Sequence, residues 1–227
     1  MNSQPGPPDF DHQIALRLAE VLERIDAVRQ PGQSVTLIAV SKRFDASVVA
    51  GAVQAGCTDF GENYAQELAG KAETLRSLID PAVPIRWHMI GPVQRNKVRR
   101  IAALVTLWHT IDREPLIEEL AKRSPGAELL LQVNLTGEAS KSGCDAADLG
   151  MLVEHAHRNG LGVRGLMTMG PTDTAIDPAP VFARCRELAD HHGLEHCSMG
   201  MSGDFETAIV QGSTMVRVGT AIFGPRP

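Results

Sequence analysis

The sequence predicts an α/β protein folded as a single (β/α)8 TIM barrel. Three observations predict it. Eight short apolar runs rich in β-branched residues alternate with segments of helical period. Polar, reactive-type residues recur at the C-terminal ends of different runs: Lys42, Asn63, His88, Asp112, Asn134, Thr168 and Ser202. No G-x-G-x-x-G follows the first run, so the fingerprint of the main rival, a doubly wound dinucleotide-binding sheet, is missing.

The elements follow in order. Ile14, Leu18, Val21, Leu22, Ile25 and Val28 fall at i, i+4, i+7, i+8, i+11 and i+14, one face of a helix. The predicted strands are Val35–Ser41, Thr58–Glu62, Ile85–Ile90, Leu107–Ile111, Glu128–Leu135, Val163–Met169, His196–Met201 and Met215–Ile222. Their starts lie roughly 20 to 35 residues apart, room for one crossover helix each. Asp45 is a candidate N-cap for a helix carrying Val48, Val49, Ala52 and Val53, and Gly56 its stop. Leu68, Ala72, Leu75 and Leu78 form a third stripe. Further helices fit Val93–Leu104, Glu114–Lys122, Ala146–Asn159, Pro178–His191 and Phe205–Gln211.

Composition bounds the rest. The chain has 227 residues, 43% of them hydrophobic, which suits one large globular domain. Residues 1–11 read as a flexible polar tail and 12–227 as the barrel. The net charge is −5, which counts against a nucleic-acid binder. No apolar run approaches roughly 18 residues, so no membrane span is expected. The N-terminus lacks a signal-peptide layout. Cys57, Cys144, Cys185 and Cys197 are scattered and read as reduced thiols, so a cytoplasmic location is expected. Aromatics are only 4%, so the core must be aliphatic.

Lys42 ends the apolar run Leu37-Ile38-Ala39-Val40-Ser41. An apolar wall there disfavours the ammonium and suits imine formation with an aldehyde. The alternative is a lysine snorkelling from a strand end. Asn63 follows Gly61-Glu62 and is either a helix cap or a ligand contact; Glu62 and Asn63 need partners if buried. His88 is an acid–base group or a core hydrogen-bonder. Arg95, Lys97, Arg99 and Arg100 form a basic cluster, a solvated helix face or a partner surface. Ser198-Met199-Gly200-Met201-Ser202-Gly203-Asp204 ends one strand and opens a helix, which makes an anion site. Gly219 and Thr220 offer a second set of amides. Phosphate commonly binds barrels between the loops after strands seven and eight. The bland reading is a tight glycine closure plus a buried ion pair, since Arg217 lies inside an apolar strand and needs a partner. An aldehyde-reactive lysine, a phosphate cup and an arginine between them suit pyridoxal 5′-phosphate.

Seven segments in order then carry a resemblance: Ala39-Val40-Ser41-Lys42, Phe60-Gly61-Glu62-Asn63-Tyr64, Trp87 to Lys97, Ser140-Lys141-Ser142-Gly143, Gly165-Leu166-Met167-Thr168-Met169, Ser198 to Asp204 and Val216 to Gly224. Over residues 12–224 the chain resembles the YggS/PROSC pyridoxal-phosphate homeostasis family. The resemblance implies a barrel like the N-terminal domain of alanine racemase, the fold type III of pyridoxal-phosphate proteins. It implies cofactor held as a Schiff base on Lys42, contacted by Asn63, with its phosphate held by Ser202, Gly219 and Thr220. Gly203 would bring backbone close to the ligand, Arg217 would face the ring nitrogen, and Met199 would pack near the ring. The implied role is binding, buffering and delivering the cofactor, with no established turnover. Apo-enzymes receiving it are the implied partners, and a monomer is expected. One departure stands out: the family commonly reads Ser-Lys-Thr-Lys-Pro where this chain reads Ser41-Lys42-Arg43-Phe44-Asp45. Phe44 replaces an accessory lysine. Lys141 is a candidate second amine or an exposed loop lysine.

The competing reading is a pyridoxal-phosphate enzyme such as an amino-acid racemase. The racemase relatives take a second base from a separate domain, for which this chain is too short, and its single tyrosine is Tyr64. An RNA- or protein-binding role for Arg95–Arg100 is a third. His191, His192, His196 and Cys197 lack a standard ligand spacing, so no metal is expected. A serine hydrolase would need a G-x-S-x-G elbow, which is absent.

Overall fold

The structure is a computed structural model and describes residues 10–225. Its strands are β1 (Thr36–Val40), β2 (Asp59–Glu62), β3 (Arg86–Met89), β4 (Val105–Ile111), β5 (Glu128–Gln132), β6 (Gly162–Met167), β7 (His196–Met201) and β8 (Met215–Val218). All pair in parallel, in sequence order, as a closed barrel. Closure is by β8 on β1, with Ile38 opposite Arg217 and Ala39 opposite Val218. The fold class is therefore the predicted one.

The described helices are α1 (Phe10–Val28), α2 (Ala46–Gln54), α3 (Ala65–Leu75), α4 (Arg95–Ile101), α5 (Glu114–Arg123), α6 (Leu149–Arg158), α7 (Ala179–His191), α8 (Phe205–Val210) and α9 (Thr220–Phe223). Ile14, Leu18, Val21 and Ile25 are buried on α1, as the stripe requires, but Leu22 sits at its edge and is exposed. The predicted tail lies outside the described residues except for Phe10 and Asp11, which belong to α1. Gly56 stops α2 with φ +94°, a left-handed turn that glycine adopts freely.

Several boundaries differ from expectation. β5 stops at Gln132, and only an isolated bridge from Val133 to Cys144 continues it. β8 stops at Val218 rather than Ile222, because the backbone turns at Gly219 into the short α9. α3 ends before Leu78, which is exposed. Asp45 occupies the N-cap of α2 with extended backbone, but its side chain makes no capping bond. Asn63 is not a cap either, since Tyr64 precedes α3.

Apolar burial forms two bodies. The larger lies between barrel and helices. The smaller fills the barrel interior with Ile38, Leu107, Leu130, Met167 and Met215. The interior also holds His88, His109, Ser198 and Arg217, all buried. Aliphatic side chains dominate both bodies, which is how a chain with 4% aromatics still closes a barrel.

Candidate functional site

At the C-terminal mouth of the barrel a cavity of about 280 Å³ is lined by Val40, Lys42, Asn63, Ile90, Met167, Met169, Met201, Ser202, Gly203, Arg217, Gly219 and Thr220. Lys42 stands two residues past β1 and is half-buried. The Nζ of Lys71 clamps the strand end beneath it. It donates to the Ser41 carbonyl at 2.6 Å, to Glu62 Oε1 at 2.6 Å and to Glu67 Oε1 at 2.7 Å. Ser41 Oγ donates to the same Glu62 oxygen at 2.7 Å. Burial pushes the Glu62 carboxyl up, and Lys71 opposes that. The next residue, Arg43, has φ +67°, a left-handed turn that costs a non-glycine residue, and its amide donates to Glu67. Phe44 then dives into the core. It is buried, and its ring centroid lies 5.2 Å from that of Phe223 on α9.

Asn63 follows β2. A Cβ at Gly91 would stand 2.3 Å from the Asn63 carbonyl oxygen, so only glycine lets the chain after β3 pass this close. The Oδ1 of Asn63 is buried and has no hydrogen-bond partner among the described residues. Such an atom calls for a ligand donor.

On the opposite side, Ser202 Oγ accepts from the Gly219 amide at 3.2 Å and joins the loops after β7 and β8. Asp204 Oδ1 accepts from the Met201 amide at 2.6 Å and fixes the first of these loops. The Arg217 guanidinium is buried. It donates to Ser198 Oγ at 2.7 Å and to the Thr168 carbonyl at 3.0 Å. Burial pushes it down to about 10, with Asp204 opposing, so it is cationic at neutral pH. Its acceptors are neutral, so its charge is available to whatever fills the cavity. A lysine, an unpartnered amide oxygen, a buried cation and two polar turns suit an elongated ligand with an aldehyde and an anionic end.

Seven of the eight expected site residues therefore line one cavity. Met199 does not. Its side chain is fully buried in the layer between barrel and helices, because alternation along β7 turns it outward while Ser198 faces in. Met167, Met169 and Met201 supply the apolar wall instead. Lys71, His109 and Ser198 were not among the expected site groups. Lys71 carried a signal, since it lies three residues after Leu68 on the apolar stripe. His88 is a core hydrogen-bonder rather than a mouth residue. Lys141 Nζ is half-buried and held by Glu138 at 2.6 Å and by the Gly170 carbonyl. Arg95, Arg99 and Arg100 are exposed on α4, a solvated face. A larger hollow of about 620 Å³ lies elsewhere, among Asp112, Glu114, Glu118, Asp145 and Asp148. Its carboxylates would repel an anion.

Comparison with known proteins agrees with this fold. Residues 16–227 match the family model of the alanine racemase N-terminal domain. A pyridoxal phosphate homeostasis protein of Pseudomonas aeruginosa is 44% identical, over 94% of this chain and 96% of that protein. The chain belongs to this family. A protein of the same name from Escherichia coli is 40% identical, over 95% of this chain and 97% of that protein. PipY of Synechococcus elongatus, solved with PLP bound, superposes with a TM-score of 0.80 at 35% identity and covers 93% of this chain and 100% of its own. Alanine racemase of Bacillus anthracis shares the fold, with a TM-score of 0.69 at 16% identity over 96% of this chain and 57% of its own.

Proposed function

We propose that the protein binds pyridoxal 5′-phosphate in this cavity and serves its intracellular homeostasis. The observation that carries the reading is the convergence of Lys42, Asn63, Arg217 and the Ser202–Gly219 pair on one cavity. Lys42 supplies the amine for attachment of the aldehyde carbon, with loss of water. Asn63 Oδ1 would accept a hydrogen bond from the ring hydroxyl. The amides around Gly203 and Thr220, with the Ser202 hydroxyl that the Gly219 amide orients, would hold the phosphate. Arg217, a buried cation lining the cavity, would keep the ring nitrogen of the cofactor unprotonated if the ring sits against it. When bound, the cofactor is an electron sink for amino-acid carbanions, and an unprotonated ring weakens that sink.

The protein acts as a carrier rather than a catalyst in this reading. Racemisation needs a second base across the cofactor, and Tyr64 is half exposed and lies outside the cavity lining. The four cysteines are free and buried, which supports a reducing compartment such as the cytoplasm. Apo-enzymes that need the cofactor are the recipients. No described helix is long and apolar enough to cross a membrane.

The test is reconstitution. Purified protein mixed with pyridoxal 5′-phosphate should develop the absorbance of a protonated imine, and borohydride should fix the label on the peptide containing Lys42. A Lys42→Ala protein that traps cofactor to full occupancy would refute the attachment site. Alanine racemisation lost in the same variant would refute the carrier role.

A further inference from the structure

Arg217 is one end of a buried hydrogen-bond chain that crosses the barrel interior. Ser198 Oγ lies 2.9 Å from His109 Nδ1, His109 Nε2 lies 2.9 Å from His88 Nδ1, and His88 Nε2 lies 3.0 Å from Asp59 Oδ1. Five strands contribute: β8, β7, β4, β3 and β2. Asp59 is the first residue of β2, at the end of the barrel away from the cavity. There it also accepts from Arg86 Nε at 2.7 Å, from Arg86 Nη2 at 2.5 Å and from Thr58 Oγ1 at 2.8 Å. Burial alone would raise the Asp59 carboxyl. The bonds from His88, Arg86 and Thr58 outweigh it and hold the group well below the ordinary carboxylate range. Asp59 is therefore an anion at neutral pH and can only accept.

That anion sets the direction of every bond above it. It takes the proton of His88 Nε2, and a His88 ring that carries that proton alone must accept at Nδ1. His109 must then donate from Nε2 and accept at Nδ1. Ser198 must give its hydroxyl proton to His109, which turns its lone pairs toward Arg217. Arg217 Nη1 donates into them. With both rings neutral, no other assignment gives each contact one donor and one acceptor. An opposite tautomer at His109 would donate to Ser198 and aim the serine hydroxyl proton elsewhere, in competition with the arginine.

We propose that Asp59, His88, His109 and Ser198 are positioning residues for Arg217. They form a one-way chain that holds its guanidinium toward the ring nitrogen of the bound cofactor. The part of this that concerns the cofactor rests on the function proposed above. The chain itself does not, and the experiment separates the two.

Nitrogen-15 NMR of histidine-labelled protein without cofactor reads the tautomers directly. His88 and His109 should both carry their proton on Nε2. A proton on Nδ1 of either ring, with or without one on Nε2, would overturn the chain. Asp59→Asn supplies an amide that can donate to His88 Nε2, and both tautomers should then reverse. Cofactor titration reads the consequence. Ser198→Ala and Asp59→Asn should each shift the absorbance maximum of bound cofactor and weaken its binding on the order of tenfold, the loss of about 1.4 kcal/mol. Ser198→Thr keeps the hydroxyl and should restore both. A stability loss in Ser198→Ala with spectrum and affinity unchanged would mean a merely structural role and would overturn the proposal. Ser198→Ala keeps the test open if Asp59→Asn fails to fold. If wild-type protein binds no cofactor, the function proposed above fails, while the tautomer measurement still decides the chain.

Discussion

Phe44 stands two residues after Lys42, and replacing it offers a quantitative test of the site's architecture. Its side chain is 8% exposed. About nine-tenths of an aromatic surface of roughly 200 Å² is thus removed from water, worth ~4.5 kcal/mol at 25 cal/mol/Å² as an upper bound. Phe→Ala changes in cores cost about 3–5 kcal/mol. Phe44→Ala should therefore cost ~3 kcal/mol, allowing for partial collapse at this edge of the core. About 1 kcal/mol of that should be coupling to Phe223, recovered as the interaction term of a double-mutant cycle with Phe223→Leu. Urea unfolding followed by far-UV circular dichroism measures it. Because the ring pair ties the Lys42 loop to the helix after Gly219, cofactor affinity should fall in the same variants. Phe44→Lys should cost at least as much as Phe44→Ala, since its ammonium must leave the pocket that the ring fills. A Phe44→Lys protein as stable as wild type, with no coupling to Phe223, would refute the packing argument.

Acid should destabilise the barrel through His109. Burial, with His88 and Arg217 nearby, holds this ring well below its ordinary value, so the folded state keeps it neutral. The stability it contributes is fully present above about pH 6.5 and falls by ~1.4 kcal/mol per pH unit below it, until the folded-state value is reached. Urea midpoints measured between about pH 7.5 and 5.5 should show this slope in wild type and a smaller one in His109→Gln; equal slopes would refute it. Lys71→Met should cost about 3–5 kcal/mol, because it leaves Glu62 buried without its cation, and adding Glu62→Met should recover most of the loss. Asn63→Leu should weaken cofactor binding about tenfold or more with little loss of stability, since the amide oxygen it removes has no protein partner; unchanged affinity in equilibrium dialysis would exclude Asn63 as a contact.

Much of the cavity is legible in the sequence, for a local reason. In a parallel barrel every strand delivers its last residues to one face, so Lys42, Asn63 and Ser202 could be placed together from strand ends alone. The glycine turn at Gly219–Thr220 announced itself in the same way. Met199 was misplaced because a sequence motif marks a segment and not the side of the strand that a residue faces. The pairing of β7 with β8 also shifts register between Ser198 and Met201, near Gly200 with φ +93°. The supporting groups were hidden by distance. His109 lies 21 residues from His88 and 89 from Ser198, and only barrel closure brings the three together. Lys71 could have been found as a lysine on an apolar face, four residues after Glu67.

The seam between β8 and β1 has a consequence for biogenesis. Lys42 stands at one side of that seam and Gly219–Thr220 at the other, so the cavity comes into being only when the barrel's last strand docks against its first. A nascent chain that has emerged as far as β7 holds the lysine without the loop that completes its pocket. Ligand binding then adds its free energy to that final docking step alone, ~2.7 kcal/mol at a hundredfold excess over Kd. On the proposed function, cofactor supply would thereby act on how firmly the barrel closes, as well as on how many chains are loaded.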